Sequence, residues 1–234
     1  MEEEMIAGQH VLAVVPARGG SKRIKQKNLQ DLGGIPLIAH TIIAAQKCAY
    51  IDKLLVNSDD AEILAIAQRY GCVIDKRKNA LATDEALTID VMKDVLNRYD
   101  NFDVLVTLQP TSPLRTSENI TEALDFYVEK NADAVISVCE VNHPPQWCNT
   151  LDETLKMDNF ISPSVKKMRS QDLGNYYKLN GAIYVNKVSR IAGEPSLLFE
   201  ENAHAYIMEQ KLSVDIDTLD DLMYARYLLS QHGS

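Results

Sequence analysis

The sequence predicts an α/β fold built on a mostly parallel, doubly wound β-sheet. Short runs rich in valine, isoleucine and leucine recur along the chain, and stretches with helical spacing of apolar residues separate them. This alternation produces βαβ units, whose right-handed crossovers place helices on both faces of the sheet. Polar segments follow three of the predicted strands, and such sheets bind ligands beyond the carboxyl ends of their strands. We therefore expect a functional site at that edge.

The sequence predicts seven strands and five helices. The predicted strands are short and apolar and cover residues 10–15, 53–56, 72–74, 103–108, 134–138, 181–186 and about 206–208. The predicted helices cover residues 36–50, 60–70, a stretch within 83–99, 117–130 and about 219–230. Pro36 suits a first helical turn, Ser58 and Asp59 are predicted to cap the second helix, and Ser117 the fourth. Gly71 is predicted to end the second helix.

The length and composition indicate one globular domain covering residues 1–234. The regular pattern breaks between about residues 142 and 178, which are rich in Pro, Asn, Asp and Lys and include the single tryptophan, Trp147. An irregular stretch of this length is typical of a functional loop. We interpret it as an insertion that serves as a lid or as an oligomerisation arm.

The charge and the cysteines restrict the possible partners and location. With a net charge of −9, the chain is not expected to bind duplex nucleic acid, which needs a basic surface. No apolar run approaches the roughly 18 residues of a membrane span, and the acidic N-terminus is unlike a signal peptide. The four cysteines lack metal-binding spacing and are interpreted as reduced thiols of a cytoplasmic protein.

The segment after the first strand, PARGGSKRIKQKN, predicts a phosphate-binding loop. Gly19 and Gly20 would let backbone N–H groups approach an anion, and Arg18, Lys22 and Lys27 add positive charge in an otherwise acidic chain. A solvated basic loop is the alternative. The Walker A spacing and the GxGxxG spacing are both absent, which disfavours P-loop hydrolases and Rossmann dehydrogenases.

Two further segments carry candidate site residues. In the extended sequence VDIDT, Asp215 and Asp217 face the same side and could hold one Mg²⁺; the alternative is that Asp217 caps the following helix. The segment LQPTSPLR offers polar groups at a strand end held by two prolines; the alternative is a rigid turn with Arg115 on the surface.

Five motifs in this order resemble the acylneuraminate cytidylyltransferase (CMP-sialic acid synthetase) family, which includes bacterial enzymes for legionaminic and pseudaminic acids. The motifs are PARGGSKRIKQKN, RKNALATDEA, LQPTSPLR, NGAIYVN and VDIDT, and the resemblance covers about residues 10–230. It implies a Rossmann-like nucleotidyltransferase fold, and it implies that CMP is transferred from CTP to a nine-carbon 2-keto acid sugar, with Mg²⁺ required. It also implies a homodimer, with the insertion reaching the partner.

The resemblance also implies roles for individual residues. Arg18, Lys22 and Lys27 are implied to act on the phosphates. Binding of CTP is implied for Ala17, Gly19, Gly20, Ser21, Asn28, Arg77 and Thr88. Contact with the sugar is implied for Gln109, Thr111, Ser112, Arg115, Arg169 and Asn180, and binding of Mg²⁺ for Asp215 and Asp217. Lys178 stands where several family members carry Arg. The alternatives are a ketodeoxyoctonate (KDO) or pseudaminic acid cytidylyltransferase, or an inactive sugar-nucleotide binding module.

Overall fold

The computed structural model describes residues 6–169 and 172–232, and it confirms an α/β fold with a mostly parallel sheet. The strands are β1 (Val11–Pro16), β2 (Asp31–Leu32), β3 (Ile35–Pro36), β4 (Lys53–Ser58), β5 (Val73–Lys76), β6 (Val104–Leu108), β7 (Ala134–Glu140), β8 (Tyr177–Lys187) and β9 (Ala203–Ile207). Within the described residues, seven of them form one sheet in the order β5-β4-β1-β6-β8-β7-β9. Only β8 runs antiparallel to its neighbours in that sheet, while β2 and β3 form a separate small hairpin.

Helices cover both faces of the sheet. They are α1 (Leu37–Gln46), α2 (Ala61–Arg69), α3 (Thr88–Leu96), α4 (Ser117–Glu129), α5 (Val188–Ile191) and α6 (Leu219–His232). Apolar residues of α1, α2 and α4 pack with alternate residues of β1 on one face, and those of α3 and α5 pack with the other residues of β1 on the opposite face. This alternation follows the two-residue period of a strand that is buried on both sides.

The strand order reverses beside β1. The chain passes from β1 to β4 and β5 on one side and then returns to place β6 on the other side of β1. The loops that leave β1 and β6 therefore diverge at the carboxyl edge, which opens a crevice between them. All three polar segments that the sequence predicts to meet follow strands β1, β4 and β6 of this region.

The caps of α2 and α4 differ from the predicted ones by one or two residues. Asp60, not Ser58 or Asp59, caps α2 and accepts hydrogen bonds from the amides of Glu62 and Ile63. Thr116, not Ser117, caps α4 in a capping box with Asn119. In each case two adjacent residues have side chains suited to capping, so composition alone does not choose between them.

The segment between β7 and β8 is irregular and exposed. Its described residues, 141–169 and 172–176, form turns, bends and short 3₁₀ turns such as Pro145–Trp147, and Leu151, Leu155 and Met157 are among its exposed apolar side chains. Strand β8 begins at Tyr177, four residues before the predicted strand, because it pairs with the end of β7 beyond a register shift. None of the described helices is long and apolar enough to cross a membrane.

Candidate active site

An open cleft of about 560 Å³ lies at the carboxyl edge of the sheet and is lined by residues that follow β1, β5 and β6. Its lining holds five cationic side chains (Arg18, Lys22, Arg23, Lys27 and Arg77) and two carboxylates (Asp84 and Asp217). The cleft is therefore locally positive on a chain whose net charge is −9. This concentration of positive charge suits a polyanionic ligand.

The loop after β1 is held to the sheet by hydrogen bonds from its neighbours. Ala17 is buried and donates its amide to the carbonyl of Asn57 at 2.9 Å, and the side chain of Asn28 donates to the carbonyl of Arg18 at 3.1 Å. The amide of Gly19 donates to the Asp59 carboxylate at 3.1 Å. A Cβ at Gly19 would lie 2.6 Å from the Asp60 carboxylate, which explains a glycine there by packing.

Four of the five cations form ion pairs with carboxylates of the protein. Arg18 and Lys22 both pair with Asp84, and hydrogen bonds from Lys22 and Arg18 hold the pKa of that carboxyl below its usual range. Arg23 and Lys27 pair with Asp217 at 3.0 and 3.1 Å. Asp84 and Asp217 thus pair with cations that an anionic ligand would contact.

Lys27 is the most enclosed cation among these ion pairs. Its side chain is 15% exposed, whereas that of Lys22 is 79% exposed. The ammonium donates to the carbonyl of Ile216 at 2.7 Å and to Asp217 Oδ1 at 3.1 Å. Lys27 therefore joins the first loop of the chain to a segment about 190 residues later, across the floor of the cleft.

The opposite wall combines one buried arginine with apolar side chains. Arg77 is 6% exposed and donates from Nε and Nη2 to the side chain and backbone carbonyls of Asn57, at 2.6 and 3.2 Å. Burial lowers the pKa of the Arg77 guanidinium; the Asp59 charge opposes that shift and the Arg18 charge adds to it. Leu81 and Val91 line the same cleft, which gives this wall the mixed character suited to a nucleoside.

Asp215 and Asp217 lie in an irregular segment, and neither caps α6. Asp221 accepts from the amides of Asp217 and Thr218, and Thr218 Oγ1 accepts from the amide of Asp221, so Thr218 caps the helix that begins at Leu219. The alternative role of Asp217 as the cap is therefore wrong. Removal from water raises the pKa of Asp215; a hydrogen bond from Thr111 opposes the shift, and the negative charge of Asp217 adds to it.

A second hollow of about 470 Å³ lies beside Asp215. Its lining includes Lys178 at the start of β8, Glu140 at the end of β7, and Tyr224 on α6. Thr111 lines the first cleft and hydrogen-bonds Asp215, so it connects the two hollows. Lys178 and Lys211 are the cationic side chains that line this second hollow.

Three residues expected to contact a sugar are instead buried in the protein. Ser112 donates to the carbonyl of Asn180 at 3.4 Å, and the side chain of Asn180 bonds Ser137, Ser213 and the sulfur of Met208. Arg115 is 2% exposed and donates from Nη1 to two backbone carbonyls. Burial lowers the pKa of Arg115 to about 9. None of the three lines the cleft, and their contact with a sugar stays a prediction.

The other expected residues divide into two groups. The cleft lining includes Arg18, Ser21, Lys22, Lys27, Asn28, Arg77, Thr88, Gln109, Thr111 and Asp217. Ala17, Gly19 and Gly20 belong to the loop but do not line the cleft, and the amides of Ala17 and Gly19 are bonded within the protein. Arg169 is exposed in the irregular segment and pairs with Asp172 at 2.9 Å. Sequence reasoning missed Asp84, although RKNALATDEA includes it.

Comparisons of the sequence with known proteins find similar chains along almost its whole length. A family model described as cytidylyltransferase matches residues 12–229. The chain is 37% identical to an N-acylneuraminate cytidylyltransferase of Streptococcus agalactiae over 91% of its own length and 52% of that relative. It is 35% identical to the CMP-N,N'-diacetyllegionaminic acid synthase of Legionella pneumophila over 89% of its own length and 91% of that relative. The chain thus spans about half the length of the N-acylneuraminate cytidylyltransferases.

Solved structures with a similar fold have lower sequence identity. A CMP:2-keto-3-deoxy-manno-octonic acid synthetase complexed with CTP matches with a TM-score of 0.73 at 19% identity, covering 95% of this chain and 99% of that one. A 4-diphosphocytidyl-2C-methyl-D-erythritol synthase from Anaerococcus prevotii matches with a TM-score of 0.65 at 15% identity, covering 97% and 98%. These two likenesses support the fold.

Proposed function

The chain belongs to the cytidylyltransferase family, and we propose that it transfers CMP from CTP to the anomeric hydroxyl of a nonulosonic (sialic-type) acid. The products are the CMP-sugar and pyrophosphate. Relatives that are named for neuraminic, legionaminic and pseudaminic acids support this class of acceptor. Among these, N-acylneuraminate and legionaminate are the proposed acceptors, since the relatives named for them are 35–37% identical and the pseudaminic acid enzyme is 30% identical.

The observation that carries the proposal is the positive cleft at the point where the strand order reverses. Five cations and two carboxylates converge there from segments far apart in the sequence. A triphosphate would replace Asp84 as the partner of Arg18 and Lys22, while the wall with Arg77, Leu81 and Thr88 would receive the nucleoside.

The proposed reaction is an in-line attack of the sugar hydroxyl on the α-phosphorus of CTP. The contribution of the protein is to position the reactants and to stabilise the charge that develops on the phosphates. Lys27, enclosed and fixed by two hydrogen bonds, is suited to stabilise the α-phosphate. Arg18 and Lys22 are suited to hold the leaving pyrophosphate, because their present partner Asp84 is exposed and can be displaced.

We propose Asp215 and Asp217 as the residues that hold Mg²⁺. The fit rests on two carboxylates near each other: burial, and to a smaller extent the negative charge of Asp217, raise the pKa of Asp215, which forms no ion pair within the described residues. Carboxylate oxygens are donors that Mg²⁺ prefers. When bound, the ion would neutralise phosphate charge and polarise the attacking hydroxyl. No group of three or more candidate ligands occurs in the described part of the chain, so waters and phosphates would complete the shell.

The acceptor is proposed to lie between the two hollows. Gln109 and Thr111 line the first cleft, and Lys178 offers a positive charge for the sugar carboxylate in the second. We also propose a homodimer in which the irregular segment meets the partner, a proposal supported by its exposed apolar residues Leu155 and Met157. A cytoplasmic location is supported by the four free cysteines.

Pyrophosphate release measured with a panel of acceptors tests the proposal. CTP and Mg²⁺ are combined in turn with N-acetylneuraminic, diacetyllegionaminic and pseudaminic acids and with KDO, and the CMP-sugar is identified by mass spectrometry. We expect release only when CTP, Mg²⁺ and a nine-carbon acid are all present, and none with UTP or with excess EDTA. Preference for KDO would favour the eight-carbon alternative. Binding of CTP without turnover on any acceptor would indicate an inactive binding module.

A further inference from the structure

A chain of buried polar side chains lies behind Arg77 without reaching the cleft. Asn57 and Asp75 are 1% and 6% exposed, and they are directly paired in the register between β4 and β5. The Asn57 amide donates from Nδ2 to Asp75 Oδ2 at 2.5 Å and accepts at Oδ1 from Arg77 Nε at 2.6 Å. Arg98, just after α3, clamps Asp75 with Nε and Nη2 at 2.8–3.2 Å.

The donors and acceptors in this chain permit one orientation of the amide. A carboxylate only accepts hydrogen bonds and a guanidinium only donates them. The Asn57 side chain must therefore turn its NH₂ group to Asp75 and its carbonyl to Arg77. Asp75 and Arg77 both favour this orientation. A neutral amide at position 75 would no longer require the NH₂ group, so it would weaken the preference that keeps the Asn57 carbonyl on Arg77. Asp75 thus helps to keep the acceptor of Arg77 in place.

Arg77 depends on this acceptor because its buried position disfavours a positive charge. Burial lowers its pKa and the nearby charge of Arg18 adds to that effect, while the charges of Asp59 and Asp75 oppose it. Nε and Nη2 are both directed to Asn57, and no hydrogen bond from Nη1 occurs within the described residues. Asn57 thus holds the Arg77 guanidinium from the side of the sheet, which leaves Nη1 for a ligand in the cleft that Arg77 lines.

We propose that Asn57 and Asp75 are positioning residues for the nucleotide: Asp75, anchored by Arg98, orients the Asn57 amide, and that amide holds the Arg77 guanidinium toward the cleft. This inference rests on the proposed function, since it assumes that the ligand in the cleft is CTP. Neither Asn57 nor Asp75 lines the cleft, so both act through Arg77. The competing explanation is that the chain only ties β4, β5 and α3 together.

A double-mutant cycle on CTP affinity separates the two explanations, because a residue that acts through Arg77 has no effect once Arg77 is removed. Calorimetry with CTP and Mg²⁺ but no acceptor gives the dissociation constant for the wild type, Asp75→Asn, Arg77→Ala and the double variant. Asp75→Asn is expected to weaken CTP binding about tenfold in the wild-type background, the size of one charge-assisted hydrogen bond. In the Arg77→Ala background the expected change is less than about twofold.

The control is Asp94→Asn, which removes a carboxylate that Arg98 contacts on the side away from Asn57. We expect it to leave CTP affinity unchanged, whatever it does to the melting temperature. If Asp75→Asn does not fold, Asn57→Ala takes its place in the cycle, since it removes the same acceptor from Arg77. Equal losses of affinity in both backgrounds, or no loss in either, would overturn the inference. A wild type that does not bind CTP would instead refute the proposed function.

Discussion

Replacing Lys27 by methionine is the sharpest test of the proposed phosphate site. Methionine keeps most of the apolar stem, which matters because the Lys27 side chain is only 15% exposed, and it removes the ammonium that contacts Ile216 and Asp217. The change leaves Arg23 as the remaining partner of Asp217. Because Asp217 is half exposed, we expect the folded state to tolerate the loss of this ion pair.

The expected effect on catalysis is much larger than that on folding. Removing one fixed donor at the position where charge develops in a transition state typically lowers kcat by about 10²–10³-fold, or roughly 3–4 kcal/mol. The enclosed Lys27 fits that description better than the exposed Lys22. The assay is pyrophosphate release at saturating CTP and acceptor, with the melting temperature measured for each variant.

Lys25→Met is the matched control for this substitution. Lys25 lies in the same loop and carries the same charge, but it is exposed and does not line the cleft. It should therefore keep nearly wild-type turnover. Turnover of Lys27→Met within fivefold of Lys25→Met would refute the role that we assign to Lys27. An equal large loss in both variants would show that the loop acts only through its total charge.

Three more outcomes follow from the structure. Gly181→Ala is expected to weaken acceptor binding but not CTP binding, because Gly181 has φ +71° and an added Cβ would lie 2.8 Å from Gln109 Oε1. A raised KM for CTP alone would contradict this expectation. Arg115→Met is expected to leave the KM for the acceptor unchanged, since Arg115 is buried away from the cleft. It should also destabilise the fold less than Arg115→Ala, which leaves a cavity. A large rise in the KM for the acceptor would show that Arg115 contacts the sugar. Thiol labelling of the native protein at pH 8, followed by peptide mapping, should modify the exposed Cys148 and leave Cys72 unmodified. Burial raises the pKa of Cys72 to about 11, so only roughly 0.1% of it is thiolate at pH 8.

Whether a site residue could be predicted from the sequence depended on how far along the chain its partners lie. Lys27 and Asp217 could be proposed separately, from a basic loop and an acidic pair, because each local pattern is unusual in its own surroundings. Their direct contact could not be proposed, since it joins residues 190 positions apart. Asp84 was missed for the same reason: a single carboxylate has no local pattern that reveals its pairing with Arg18 and Lys22.

Residues in LQPTSPLR show why composition alone does not separate residues that line the cleft from buried ones. Gln109 and Arg115 are both polar residues at a strand end, yet Gln109 lines the cleft and Arg115 is enclosed. The difference arises because Arg115 reaches back to the carbonyls of Gln109 and Ala182, and Ala182 belongs to a strand that follows some 70 residues later. Burial of a long side chain is a property of the surrounding elements, and no short window of sequence contains it.

The sequence by itself determined the α/β class, the edge of the sheet that carries the polar segments, and the cationic loop after β1. Each follows from a local pattern: a two-residue or 3.6-residue period, or a cluster of like charges within a few residues. The tertiary structure alone decided which cations are enclosed, which carboxylates pair with them, and that Asn57 and Asp75 stand behind Arg77. Those outcomes depend on strand order and register, which bring distant segments together and are set by the packing of the whole sheet.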